Sequence, residues 1–177
     1  MPKEQLTTSK TRQNGYTLIE LLLYVVVVGM LLTSVVSFFG TVTEARVKNQ
    51  TISEVNDQGT AAMDYITQTI RNATSVSAPA TGGVSAASLT LVVPTGSLSP
   101  TVFSLSGTTL QVKEGAAAAI ALTNNEVQIS SLSFKNLTRS GTTGVVQVSF
   151  VISRTNPNNV NTFEYQKTFT GSAEVTP

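Results

Sequence analysis

Gly15–Phe39 reads GYTLIELLLYVVVVGMLLTSVVSFF, and its interpretation decides the rest of the chain. One carboxylate, Glu20, stands near its start, and no charged side chain follows from Leu21 to Thr43. The apolar part, Leu21–Phe39, is 19 residues long. At 1.5 Å per residue it makes about 28 Å of helix, which matches the ~30 Å hydrocarbon core of a bilayer. A buried core helix is the alternative, but such length and purity favour a membrane span.

Working outward, Lys3, Lys10 and Arg12 form a basic leader offset by Glu4, and after Glu20 the next charges are Glu44 and Arg46. Basic flanks stay on the cytoplasmic side, so the leader is expected inside and everything past Thr43 outside. A secretory signal would have a shorter apolar region followed by a small-residue cleavage site. Here the small residue, Gly15, comes before the apolar run.

The combination of a basic leader, Gly15-Tyr16-Thr17-Leu18-Ile19-Glu20 and an apolar run of membrane length resembles the N-terminal signal of type IV pilins and pseudopilins. In that family a membrane aspartyl protease, the prepilin peptidase, cuts after the glycine and methylates the new N-terminus. The resemblance implies cleavage between Gly15 and Tyr16, N-methylation at Tyr16, and Glu20 as the assembly glutamate at the fifth mature position. It further implies partners: the prepilin peptidase, other pilin or pseudopilin subunits, an inner-membrane assembly platform, and the lipid bilayer before assembly. Two positions depart from the usual pattern: Tyr16 replaces a phenylalanine, and Ser37 stands where many pilins carry a helix-melting proline.

The chemistry of Glu20 also stands without the family. An ionised carboxylate in hydrocarbon costs several kcal/mol, so intramembrane acids are rare and usually paired. Cleavage after Gly15 would free an amine four residues upstream, about 6 Å along a helix. In the family this pairing runs between subunits, the incoming glutamate meeting the N-terminal amine of one already in place. The plain alternative is a carboxylate solvated at the headgroup boundary.

The residue inventory narrows the rest. Of 177 residues only 12% are charged and the net charge is +1, which gives no electrostatic footprint for a nucleic acid. With no Cys there is no disulfide framework, and with no His the commonest general base and zinc ligand are missing. No Ser-His or Cys-His pair can form. Asp57 and Asp64 share a helix face without further support for a catalytic pair. The reading is of a protein that is not an enzyme, with no cofactor and no metal. Asn49-Gln-Thr51, Asn72-Ala-Thr74 and Asn136-Leu-Thr138 fit the glycosylation triplet, as arises by chance in Thr-rich chains.

Past Thr43 the helix is expected to continue. Ile52, Val55, Gly59, Ala62, Ile66, Ile70 and Ala73 recur at steps of three and four, one apolar stripe along a helix reaching to near Ser75. Hydroxyls at Thr33, Ser34 and Ser37 are expected to bond back to carbonyls four residues earlier. Ala78–Ala87 reads as a loop from Pro79, Gly82 and Gly83. Strands are expected at Leu89–Val93, Val102–Leu105 and Thr109–Lys113. Val127–Leu132 and Ser133–Leu137 follow, with a bulge at Ser130-Ser131, and then Val145–Ser153 and Phe163–Phe169. Ala116–Ala121 fits a short helix or a loop.

The expected fold class is α+β: a long N-terminal helix, half membrane and half amphipathic, packed on a C-terminal antiparallel β-sheet, as the pilin resemblance also implies. The expected division is 1–15 removed leader, 16–43 membrane and assembly half, 44–75 amphipathic half, and 76–177 extracytoplasmic β-rich domain. Leu122–Phe134 followed by Val145–Ile152 is loosely similar to J-type minor pseudopilins and related minor pilins. The resulting expectation is a structural, minor subunit of a type IV pilus or related pseudopilus, held first in the cytoplasmic membrane with its N-terminus inside. A major pilin, or a subunit of a type II secretion or DNA-uptake pseudopilus, is the rival within the class. The rival outside it is a single-pass anchored binding module, an adhesin or sensor that never polymerises.

Overall fold

The computed structural model describes residues 15–139 and 144–176. The basic leader, and residues 140–143 between the expected strands Ser133–Leu137 and Val145–Ser153, lie outside the described residues. Helix α1 runs Leu18–Arg71. Its contacts divide the chain after Thr43, and the two units are taken in turn.

In the first unit the helix is apolar all round, and no described part of the chain covers it. Large apolar side chains between Leu18 and Phe39 are exposed, from 45% at Val27 to 83% at Leu18. A surface this apolar is stable only against lipid or other apolar helices. Thr33 and Ser37 make the expected back-bonds, and Ser34 makes none among the described residues. Thr33 donates to the Gly29 carbonyl at 2.9 Å, Ser37 to Thr33 at 3.0 Å and Thr43 to Phe39 at 2.8 Å. Ser37 keeps the backbone amide that a proline would remove, so the helix continues through this position, as it does through Gly29 and Gly40.

In the second unit the helix turns one face to a core. Thr51, Val55, Gly59, Ala62, Ile66 and Ile70 are buried, at the 3.6-residue spacing of a single stripe. Ile52, expected in that stripe, is only half-buried, and Thr51 takes its place. Thr51 tolerates burial because its hydroxyl donates to the Val47 carbonyl at 3.0 Å. The helix ends at Arg71, short of the expected Ser75. Ala73 is fully buried and the Thr74 amide donates to the Val92 carbonyl at 2.7 Å, so the chain has already joined a sheet.

Nine strands follow: β1 (Ser75–Ala78), β2 (Ser85–Ala86), β3 (Leu89–Val92), β4 (Thr101–Ser106), β5 (Thr109–Glu114), β6 (Ile120–Ala121), β7 (Val127–Asn136), β8 (Val145–Arg154) and β9 (Gln166–Glu174). They form two antiparallel sheets, β1-β3-β4-β5-β6 and β2-β7-β8-β9, where one sheet was expected. The expected loop at 78–87 therefore contains β2 and the end of β1, and the ambiguous 116–121 segment ends in β6. The expected bulge is present. Register shifts between Ser130 and Ser133, and Ser131 has φ 54°. This extra residue keeps Ile129, Leu132 and Phe134 all inward on one ten-residue strand.

β8 alternates as its sequence implies: Val146, Val148, Phe150 and Ile152 are completely buried. The last strand begins later than expected. Asn161–Phe163 forms a 3-10 turn, so Phe163 and Tyr165 precede β9. Phe150 and Phe169 are register partners, and their rings stack at 5.5 Å with an interplanar angle of 16°.

Helix and sheets meet through specific side chains on both sheets. From β9, the Phe169 ring fills the space over Gly59, and Lys167 donates to Asn56 at 2.6 Å while lying 4.9 Å from the Phe169 ring centre. Lys167 is exposed, and its ammonium meets both groups. A Cβ at position 59 would overlap the Phe169 ring. Gly59→Ala is therefore expected to lower stability by about 1–3 kcal/mol through overpacking. Helix propensity alone predicts a gain of about 1 kcal/mol, so chemical unfolding gives the two effects opposite signs.

Towards the other sheet, the Tyr65 ring meets Phe103 edge-on at 6.1 Å, and its hydroxyl donates to Glu114 at 3.0 Å. Partial burial, then the hydrogen bond to Glu114 and that carboxylate's charge, raise the Tyr65 pKa above its ordinary value near 10. A raised folded-state value stabilises fully below the unfolded pKa and is lost as pH rises through the folded one. Thermal unfolding from pH 9 to about pH 11 should thus fall less steeply for Tyr65→Phe than for the parent. At neutral pH the substitution should cost at most about 1 kcal/mol, the net value of one exposed hydrogen bond.

Candidate functional site

The residues marked by sequence meet at the start of α1. Gly15, Tyr16 and Thr17 lie outside regular structure and are exposed, so the Gly15–Tyr16 peptide bond sits in an open, non-helical segment. Nothing approaches within 4 Å of where a Gly15 side chain would be. Bond cleavage by a protease requires this kind of access, which a helical backbone would deny.

The helix begins immediately afterwards for a local reason. The Glu20 amide donates to the Thr17 carbonyl at 3.0 Å and to the Thr17 hydroxyl at 3.3 Å. Thr17 is thus an N-cap, and Thr17-Leu18-Ile19-Glu20 has the T-x-x-E spacing of a capping box. This capping role escaped the sequence reading although that spacing was its signal. The Tyr16 ring lies edge-on to Tyr24, 6.4 Å between centres, which places the residue after Gly15 against the outside of the helix two turns on.

Glu20 is exposed in the first turn, where a carboxylate is favoured by the helix dipole. Its carboxylate has no hydrogen-bond or ion-pair partner among the described residues, so it is available to a group outside this chain. Helix α1 is long and apolar enough to cross a membrane.

Residues 10–36 match the family described as the prokaryotic N-terminal methylation motif. The chain carries the type IV pilin and pseudopilin signal. The matched segment contains the basic end of the leader, Gly15, Tyr16, Glu20 and most of the apolar run. It supports a pilin- or pseudopilin-like precursor and is consistent with a membrane-anchored protein. The α+β layout behind the signal, a long helix against antiparallel sheets, is consistent with a pilin-like fold. No curated protein and no solved structure matches the chain.

Other residues weighed from sequence fall elsewhere. Asp57 accepts a hydrogen bond from Ser53 at 3.2 Å, and Asp64 is exposed on the same helix. Among the described residues no cluster of three or more acidic side chains is placed to hold a metal ion. Asn136 is buried and donates to the Pro79 carbonyl at 2.6 Å, so that triplet offers no accessible amide for a glycan.

Proposed function

We infer that this pilin-like precursor is a non-catalytic structural subunit, a minor one, of a type IV pilus or related pseudopilus. In this reading it enters the cytoplasmic membrane once, with its basic leader inside. Prepilin peptidase cuts after Gly15, Tyr16 becomes the methylated first residue, and an inner-membrane assembly platform moves the subunit from the bilayer into the filament.

One observation carries the reading: a carboxylate without a partner among the described residues stands four residues past an open Gly–Tyr bond, at the head of a helix whose apolar surface nothing described covers. A membrane anchor alone needs neither feature. In the bilayer the helix is satisfied by lipid, and in a filament the same surface is satisfied by neighbouring helices. Glu20 then meets the freed amine of another subunit, which neutralises two charges and fixes the axial register.

The test is the protein's location and stoichiometry in sheared surface filaments. The expected result is recovery in the filament fraction at a small ratio to a major subunit. Recovery only with the membrane fraction, in cells that display filaments, would instead mark a non-polymerising anchored module.

A further inference from the structure

β9 is the outer strand of its sheet, and its hydrogen-bond register fixes which way its backbone faces. The Arg154 amide donates to the Tyr165 carbonyl at 3.2 Å, and the Val175 amide to the Gly144 carbonyl at 2.7 Å. Both pairs continue the register of the β8–β9 ladder. Bonded positions alternate in an antiparallel pair, so Lys167, Phe169, Gly171 and Ala173 turn their N–H and C=O groups to β8. Thr168, Thr170 and Ser172 turn theirs outward. All three residues are exposed, and nothing among the described residues pairs with their backbone groups.

The other outer strands are closed to pairing. β2 and β6 are two residues each. β1 has four residues, its register shifts between Val76 and Ala78, and Pro79 follows it. Short strands, bulges and prolines are the devices that keep sheet edges from pairing. β9 has none of them. It is nine residues long, with no register shift against β8, no proline, and no charge between Lys167 and Glu174.

A wall stands beside this edge. Lys167 bonds to Asn56, the Phe169 ring lies over Gly59, and a Cβ at Gly171 would meet the Met63 sulfur at 3.0 Å. The strand and the amphipathic half of α1 therefore run side by side in one direction. Asn56, Thr60, Met63 and Thr67 follow at helical spacing along that flank, and none is charged. Met63 is half-buried and offers the flank an apolar contact. A row of N–H and C=O groups at strand spacing is matched by another extended backbone. Between an uncharged edge and an uncharged flank, a charged insert would lose its hydration with nothing to offset the loss.

Pairing β9 with β9 of a second copy would use the same edge twice and close a dimer, whereas copies in a filament are related head to tail. The remaining edges of a copy are the closed ones. We propose that the β9 edge and the adjoining flank of α1 form a strand-addition site for a different filament protein. That partner inserts an extended, uncharged segment antiparallel to β9, with an apolar side chain against Met63. Main-chain bonds supply the affinity and alternate side chains the specificity. The choice of partner rests on the filament-subunit reading above, and the groove itself does not.

The probe is the uncharged peptide acetyl-Thr-Val-Thr-Val-Thr-Val-Thr-amide, added to the full chain in detergent micelles. Amide exchange is read residue by residue by nuclear magnetic resonance. In the free chain the Thr168, Thr170 and Ser172 amides should exchange fast, and those of Phe169 and Gly171 slowly. Peptide at about nine times its Kd should slow the first set about tenfold, the factor 1 + [L]/Kd. Methylating the peptide's threonine amides, which face β9 when valine lies against α1, should abolish the protection. Methylating its valine amides should not.

Thr170→Pro removes one outward donor and leaves the β8 ladder whole. It should keep the fold and weaken peptide binding about tenfold, the effect of one lost hydrogen bond and a blocking ring. Thr170→Lys puts a charge at the same point and should give the same loss if the proline variant folds poorly. Slow exchange of the outward amides in the free chain, no protection by the peptide, or equal protection by its threonine-methylated form would each overturn the site. In filaments, a photoreactive benzoylphenylalanine in place of Thr170 should crosslink to an uncharged segment of a different filament protein. A crosslink to a second copy or to a charged segment, or none from a chain present in the filament, overturns the partner. Absence of the chain from filaments fails the filament reading, and the micelle result still decides the groove.

Discussion

Glu20→Ala is expected to leave processing at Gly15 intact and to lower incorporation into filaments by a hundredfold or more. The carboxylate lies between Arg12 and Glu44 with no other charge in the interval, and it has no partner among the described residues. In the proposed filament it faces an amine freed at Tyr16 of another subunit. Removing one member of a buried ion pair leaves the other charged and desolvated, at a cost of about 3–5 kcal/mol. Each 1.4 kcal/mol is about tenfold in an equilibrium, so two to three powers of ten follow. Glu20→Gln keeps the shape and the Thr17 cap, whose hydrogen bond uses the Glu20 backbone amide. It should fail nearly as badly, which separates charge pairing from helix stability. Immunoblots of sheared filaments against membranes measure both variants. Parental incorporation of Glu20→Ala would remove the pairing from the account.

The largest effect on the outer domain is expected from Phe150→Ala. Phe150 is completely buried in β8, and its ring is stacked on Phe169, which in turn fills the space over Gly59. The substitution therefore leaves a hole that touches both the sheet and the helix stripe. Phe→Ala in such a core costs about 3–5 kcal/mol. Domain stabilities are about 5–15 kcal/mol, so roughly a fifth or more of the total is at stake. The midpoint of thermal unfolding should fall by about 10 °C or more in a unit of this size. Val151→Ala, on the half-buried alternate face of the same strand, should cost under about 1 kcal/mol. Circular dichroism of the two variants compares them directly, and equal shifts would contradict the placement of the core.

The elements legible in the sequence are those whose pattern is local. The α1 stripe from Val55 to Ile70 and the alternation of Val146, Val148, Phe150 and Ile152 repeat often enough to declare their own period. The bulge at Ser130-Ser131 was legible because the apolar phase slips there while the strand chemistry continues. What escaped depends on partners distant in the chain. β1, β2 and β6 are two to four residues of Ser, Ala, Val and Ile, and they exist because β3, β7 and β5 offer them an edge. The split into two sheets escaped for the same reason, since strand order is not written in any one strand. Phe163 and Tyr165 alternate with polar neighbours like a strand, but the turn at Asn161–Phe163 takes them out of the ladder, which begins at Gln166.

The candidate site was unusually legible because it is a short linear signal rather than a constellation assembled by the fold. Gly15, Tyr16 and Glu20 were named from the resemblance of that signal to the pilin and pseudopilin N-terminus, and Glu20 also from its charge at the head of an apolar run. The structure adds that the Gly15–Tyr16 bond is open, that Thr17 starts the helix at once, and that Glu20 has no partner among the described residues.

The most direct test of the central claim is the mass and N-terminal sequence of the protein purified from the cell envelope. The account predicts a chain that begins at Tyr16, carries one added methyl group on its terminal amine, and has Glu20 as its fifth residue. A mature chain that still begins with the leader containing Lys3, Lys10 and Arg12 would contradict it.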